Sequence, residues 1–346
     1  MNIPTHIDIP VSRMEGDSGE VLLCRLEDLP ANARVPGPAR DDLFVRLADV
    51  QRTRHMLVVS ASMRPCHDVD CVAAYVADDG TNINWDRDCI GHAAAIGVFA
   101  IRQGFIHRER LPREGTFAVR IWQQNVRKTI IVHVPVADNA VEGVRVELVD
   151  PVATPRPGTG SIFPTGNAVD RFDLPGFDTV SATLIDIGTP TMLVDIADSG
   201  ASGAGGAGAE LTRVLRAAGA ARMGRASPIP RIVYVSAPRA FVAADGAHVA
   251  GCDVDLCAWG AVPDLLESAP DVVTIGIGAG IPGTVVNRKM ESVARNTIRV
   301  GYPEGIVSVV ASVRCMDGEW IVTRVLLRGS ARALSENIVR LLNQAG

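Results

Sequence analysis

The sequence predicts a sheet-rich α+β chain of two domains, and three observations lead there. The chain has 346 residues, 47% hydrophobic and 21% charged, enough for two domains each with its own core. Aromatic residues make up only 4%, while Val, Ile, Ala and Gly are plentiful. Small and β-branched side chains of that kind fill a core built on sheet better than one built on a helical bundle. Third, short segments of alternating or continuously apolar character recur along the whole chain, with few helical patterns between them.

The expected strands run in order over Met56 to Ser60, Val119 to Gln123, Thr129 to Val134, Val144 to Val149, Thr183 to Ile187, Ile232 to Ser236, Ile306 to Val313 and Trp320 to Leu327. The clearest helical patterns are Ile90 to Gln103, Ala209 to Ala217 and Ala331 to Gln344. The first, IGHAAAIGVFAIRQ, is apolar almost all the way round, so it is expected to run through the middle of a sheet or barrel. The last places Leu334, Ile338, Leu341 and Leu342 on one stripe opposite Glu336, Asn337 and Arg340, which predicts a surface helix. Two stretches read as connectors, PVATPRPGTG at 151–160 and SGASGAGGAG at 199–208. The first sets a domain boundary, giving domains at 1–160 and 161–328, with 329–346 as a C-terminal helix returning to the N-terminal domain.

A formal net charge of −5 without a long basic run offers no surface for a phosphate backbone, so nucleic acid is not an expected partner. The N-terminal stretch lacks an apolar core behind a basic segment, and the longest apolar run, Ala93 to Ile101, is too short for a bilayer. No membrane association and a cytoplasmic location are expected. Seven cysteines spread over a large chain do not form a disulfide pattern. Cys66, His67 and Cys71 match no common zinc spacing, so no metal is expected.

Two motifs carry chemistry. In WDRDCIGHAAAIG, Cys89 starts the apolar helix with Asp88 available as its cap and Gly91 keeping the turn uncrowded. Free amides and the positive end of the helix dipole there are expected to draw the thiol below its ordinary value of roughly 8.5. A packed, inert cysteine is the bland alternative. In GIGAGIPG, Gly278 and Gly280 belong to a G-x-G-x-x-G match, but it comes late, Pro282 intrudes, and the βαβ surroundings of a dinucleotide site are missing. Either a Gly-rich helix start that accepts a carboxylate or a tight packing turn fits it. His55, His67, His92 and Arg332 are further ionisable candidates among which pattern alone does not choose.

Several runs resemble the PrpF family, which includes 2-methylaconitate isomerase and 4-oxalomesaconate tautomerase. They are CRLEDLP (24–30), VPGPARD (35–41), HDVD (67–70), VRIWQQNVRKTIIVHVPV (119–136), FPTGN (163–167), RMG (222–224), IPGTVVN (281–287) and SAR (330–332), collinear over nearly the whole chain. The resemblance implies the diaminopimelate epimerase-like fold, in which two similar domains each wrap a sheet around a central helix and the active site lies between them. It also implies a 1,3-allylic proton shift on a small unsaturated carboxylic acid, without metal or organic cofactor. The acid/base pair implied by position is Cys89 and His55, the latter standing where the family has lysine. Substrate contacts are expected from Gly16, Asp17, Ser18, Arg87, Gly91, Thr165, Gly166, Asn167, Gly278, Gly280, Ser330 and Arg332. A second copy of the chain, in a homodimer, is the protein partner left open.

The departures from the family pattern bear on substrate. The R-G-G-T-S-K-G loop reads EGDSGEV at 15–21, so Glu15 and Glu20 replace basic residues, and G-N-C-G-N has become RDCIG. A ligand with fewer negative charges than a tricarboxylate is therefore expected. A related racemase, epimerase or lyase, and a noncatalytic ligand-binding protein on the same fold, remain as alternatives.

Overall fold

The computed structural model describes residues 6–342 apart from 78–79, 86–87, 137–142, 152–161, 188–189, 200–207, 225–229, 245, 261–267, 291–296 and 304. Arg87 and nearly all of the two expected connectors lie outside the described residues. The chain forms two compact units, Met1–Glu147 with Gly329–Gly346, and Leu148–Arg328.

The first unit contains β1 (His6–Gly16), β2 (Gly19–Arg25), α1 (Pro38–Gln51), β3 (His55–Ala61), β4 (Val69–Val76), the short β5 (Ile83–Asn84), α2 (Ala93–Arg102), β6 (Thr116–Gln123) and β7 (Lys128–Pro135). After β7 comes β8 (Val144–Val149). Strand β1 pairs antiparallel with β2, β2 parallel with β3, β3 antiparallel with β4, β4 parallel with β6, and β6 antiparallel with β7.

This curved sheet is packed on both faces. On one lies α2, which touches β1, β3, β6 and β7 and buries Ala93, Ala94, Ala95, Ile96, Gly97, Phe99 and Ala100. The apolar circumference read from the sequence thus does surround a central helix, although its first turn, Ile90–His92, is a 3-10 turn. Gly97 allows the approach: a Cβ built there would stand 2.5 Å from Cγ1 of Val132 on β7. On the other face α1 buries Leu43, Phe44 and Leu47 against Leu22, Met56, Val58 and Val76.

The second unit holds β9 (Asp170–Phe172), β10 (Val180–Asp186), β11 (Pro190–Asp195), α3 (Ala209–Arg222), β12 (Arg231–Ser236), the hairpin β13 (Phe241–Val242) and β14 (His248–Val249), β15 (Leu256–Gly260), α4 (Ser268–Gly280), α5 (Val285–Lys289), β16 (Ile298–Tyr302), β17 (Gly305–Met316) and β18 (Glu319–Gly329). Its sheet runs β9-β10-β11-β12-β15-β16-β17-β18, with parallel pairs at β11/β12 and β15/β16. Here α4 takes the place that α2 has in the first unit. Its Gly276 lies so close to β17 that a Cβ would stand 2.6 Å from Cγ2 of Val309. Helix α3 covers the other face through Leu211 and Leu215.

Two expectations fail. Residues 331–342 form a strand, β19 (Ala331–Leu342), not a surface helix; it pairs antiparallel with β1 from Gly16↔Ala331 to His6↔Leu342. Val339 and Leu341 point into the α1 core, whereas Ile338 and Leu342 of the supposed apolar stripe are 68% and 67% exposed. A full-length ladder with β1 outweighs the helical spacing. Second, Gly278 and Gly280 are not at a helix start but in the last turn of α4. Both are closely packed there: Cβ atoms would lie 3.2 Å from Leu193 Cδ1 and 3.1 Å from Val313 Cγ2, which fits the packing-turn alternative.

Candidate active site

Cys89 occupies the link between β5 and α2. Asp88 Oδ1 accepts the Ile90 N–H at 3.1 Å, the His92 N–H donates to the Cys89 carbonyl at 2.9 Å, and the Cys89 N–H donates to Oε1 of Gln123 at 3.3 Å. The expected lowering of its thiol does not occur. A hydrogen bond with Cys71, burial, and the nearby Asp88 charge push it well above the ordinary thiol value. At neutral pH Cys89 is therefore a thiol rather than a resident thiolate.

His55 opens β3 opposite Tyr75, and its ring lies edge-on to Tyr75 (5.0 Å between centroids) and to His92 (4.9 Å). Cys71 pairs with Val59, four residues further along β3, so His55 and the Cys71 end of the site are roughly 13 Å apart along the strand. His92, which pattern could not select, is 4% exposed, and neither ring nitrogen has a partner among the described residues. Burial, with the charge of His55 beside it, holds its pKa down at about 3. His92 is therefore neutral at physiological pH.

The turn joining β1 to β2 closes over this region. A Cβ at Gly16 would meet the Gly91 carbonyl at 3.1 Å and His92 Nδ1 at 3.4 Å, so a side chain there would crowd both. The Ser18 N–H donates to the Gly91 carbonyl at 3.1 Å, while Ser18 Oγ is buried without a partner among the described residues. Asp17 Oδ1 accepts from the Ser330 N–H (2.9 Å) and hydroxyl (2.8 Å); burial raises its carboxyl pKa and those bonds partly offset it. Arg332 is held by Glu15, with Nε and Nη2 at 3.0 and 2.6 Å from Oε2, and Glu20 lies 3.1 Å from Arg13. Gly16, Asp17, Ser18, His55, Cys89, Gly91, Ser330 and Arg332 thus share one region of the first unit.

The second unit holds the other expected contacts in a compact turn. Buried Asp170 accepts from Thr165 Oγ1 at 2.6 Å, Asn167 Nδ2 at 3.1 Å and Arg222 at 3.3 Å, and Gly166 has φ of 76°. Thr183 joins this turn to the IPGTVVN run, donating to the Ala168 carbonyl at 2.6 Å and accepting the Val285 N–H at 2.9 Å. Sequence reasoning missed Gln123, which strand register sets opposite Cys71 and whose side-chain oxygen accepts the Cys89 N–H. The available signal was the alignment of HDVDC with the end of VRIWQ, which only strand pairing brings into register.

A model of the PrpF protein family matches residues 6–342. This chain belongs to the PrpF family. Among its relatives, 2-methyl-aconitate isomerase from Cupriavidus necator is 35% identical, with 98% of both chains covered. The 3-methylitaconate isomerase of Eubacterium barkeri is 26% identical, with 96% of both covered. Among solved structures, a methylitaconate-delta-isomerase superposes with a TM-score of 0.76 at 23% identity over 99% of each chain. A hydroxyproline epimerase from Agrobacterium vitis gives 0.58 at 11% identity, over 97% of this chain and 94% of that one. The fold is the diaminopimelate epimerase-like one, and this PrpF protein is an isomerase. Among the described residues no helix is long and apolar enough to cross a membrane.

Proposed function

We propose that this PrpF protein catalyses a 1,3-allylic proton shift on a small unsaturated carboxylic acid, with Cys89 as proton donor and His55 as proton acceptor. The observation that carries this reading is the Cys89 thiol, buried at the start of the central helix and kept protonated by its surroundings. A carboxylate conjugated to a carbon–carbon double bond acidifies the C–H at the far end of the allylic system. Removal of that proton by a base, His55, gives a delocalised carbanion, and delivery of the Cys89 proton to the other terminus completes the shift. The net change is zero protons and zero electrons. Afterwards the histidine carries the abstracted proton and the cysteine is a thiolate, so exchange with solvent or the reverse transfer resets the pair. As a residue type, histidine, with a reference pKa of roughly 6.5, is a better base at neutral pH than lysine at its reference value.

The substrate is proposed to carry fewer carboxylates than methylaconitate. Glu15 engages Arg332 and Glu20 engages Arg13, so two cations near the turn already have anionic partners. The test is turnover of 2-methylaconitate, 3-methylitaconate and simpler unsaturated mono- and dicarboxylates in deuterated water. Deuterium should enter the product at the newly protonated carbon, and Cys89→Ser should lose the roughly 100-fold or greater advantage of a positioned acid. Full activity in Cys89→Ser would remove the assignment of the proton donor.

A further inference from the structure

On the face of the second sheet that α3 covers, opposite α4, the hairpin β13–β14 leaves a cavity of about 170 Å³ beside β15 and β16. The hairpin is fixed to those strands. The Ala244 N–H donates to the Pro303 carbonyl at 2.7 Å, and the Cys257 thiol donates to the Arg239 carbonyl at 3.6 Å. Gly301 lets Phe241 lie against β16, since a Cβ there would stand 2.7 Å from the Phe241 Cε1. Phe241, Trp259 and Tyr302 therefore form aromatic walls that are in place before any ligand arrives.

Two polar groups at these walls lack the partners that the fold gives such groups elsewhere. Trp259 is 8% exposed, and its indole N–H is buried with no partner among the described residues. Arg231 and Arg299 of the same unit are held by Asp271 and Asp255. Arg239 has no such carboxylate among the described residues; its guanidinium lies over the Trp259 ring, 4.8 Å from the centroid. Stacking takes up the flat face of a guanidinium and leaves its N–H edge, a fork that fits a carboxylate bidentately. A cavity of roughly 150 Å³ holds benzene, so this one has room for a single ring. We propose that it is a binding site for a one-ring aromatic monocarboxylate, with the ring between Phe241, Trp259 and Tyr302 and the carboxylate on Arg239. The site lies within the second unit and uses neither Cys89 nor His55, so it goes beyond the isomerase reading and does not depend on it.

The test titrates sodium benzoate into the full chain labelled with heavy nitrogen at its four tryptophan indoles, followed by NMR. The Trp259 signal is assigned by its loss in Trp259→Phe. It should shift saturably with a Kd of about 1 mM or tighter. Benzyl alcohol, a ring without charge, and acetate, a charge without a ring, should each bind at least about tenfold more weakly. Arg239 is partly exposed, so Arg239→Gln should fold and bind benzoate about tenfold more weakly, level with benzyl alcohol. Arg239→Lys keeps the charge without the fork and should fall between. A Trp259 signal that does not move up to ~10 mM benzoate overturns the proposal, even if other indoles shift. Equal benzoate affinity in Arg239→Gln, or benzyl alcohol binding as tightly as benzoate to the parent, overturns it as well.

Discussion

Arg332 and Glu15 face one another as register partners on β19 and β1, with the guanidinium Nη2 2.6 Å from the carboxylate Oε2. In an exposed setting such a pair contributes ~1 kcal/mol at most, so its main effect is on what else Arg332 can hold. Glu15→Gln should free the guanidinium for a substrate carboxylate. The KM for 2-methylaconitate is expected to fall about fivefold with kcat little changed, the equivalent of ~1 kcal/mol. An unchanged KM would mean that Arg332 does not meet the substrate.

His92 gives the fold a defined acid sensitivity. Its folded pKa of about 3 lies below the ordinary histidine value of 6.5, so between those values the unfolded chain binds the proton more readily. The contribution of the neutral, buried ring is fully present above the unfolded value and is lost as pH falls through the window, by up to ~1.4 kcal/mol per pH unit. Urea midpoints measured from pH 7 to pH 4 should fall more steeply for the parent than for His92→Gln. Parallel slopes would show that His92 is not buried as a neutral ring.

Gly97→Ala tests the seat of the central helix. The added methyl would stand 2.5 Å from Val132 Cγ1 and 2.8 Å from its Cβ, both on a strand with little room to yield. Overpacking of this kind costs ~1–3 kcal/mol. A clear fall in Tm is expected, and Gly97→Ala combined with Val132→Ala should recover part of it.

Asp170 organises the FPTGN turn through Thr165, Asn167 and Arg222. Asp170→Ala removes a buried acceptor shared by three donors, so a loss of ~2–3 kcal/mol is expected by urea denaturation, discounted for the exposure of Arg222. Thr165→Val removes one of those bonds and should cost less, about 1 kcal/mol.

Legibility from sequence followed how local the determinant was. The circumference of α2 is a local property, and eight strands fell where alternation put them, as β3 over His55–Ala61 and β7 over Lys128–Pro135 illustrate. Strand β19 was misread because Leu334, Ile338 and Leu341 satisfy a helical spacing, whereas its strand state is dictated by β1 at the other end of the chain. The direction of the Cys89 shift was misread for the same reason. A helix start is visible in sequence, but Cys71 and Gln123 come to it only through the pairing of β4 with β6. For GIGAGIPG the sequence left a carboxylate-accepting helix start and a tight packing turn both open, because small residues serve open loops and close packing alike, and it is the neighbours Leu193, Val309 and Val313 that distinguish them.

The pairing of β1 with β19 also constrains how the protein is made. Arg340 meets Asp8 across 332 positions of chain, so at a ribosome the first unit must wait, its sheet open at β1, while the entire second unit is synthesised. That second unit is continuous in sequence and can close on its own segment first. An open β1 edge during those seconds is a place for mispairing with neighbouring nascent chains. Late docking of a sequence-distant strand also makes the final folding step slow for the size of the unit.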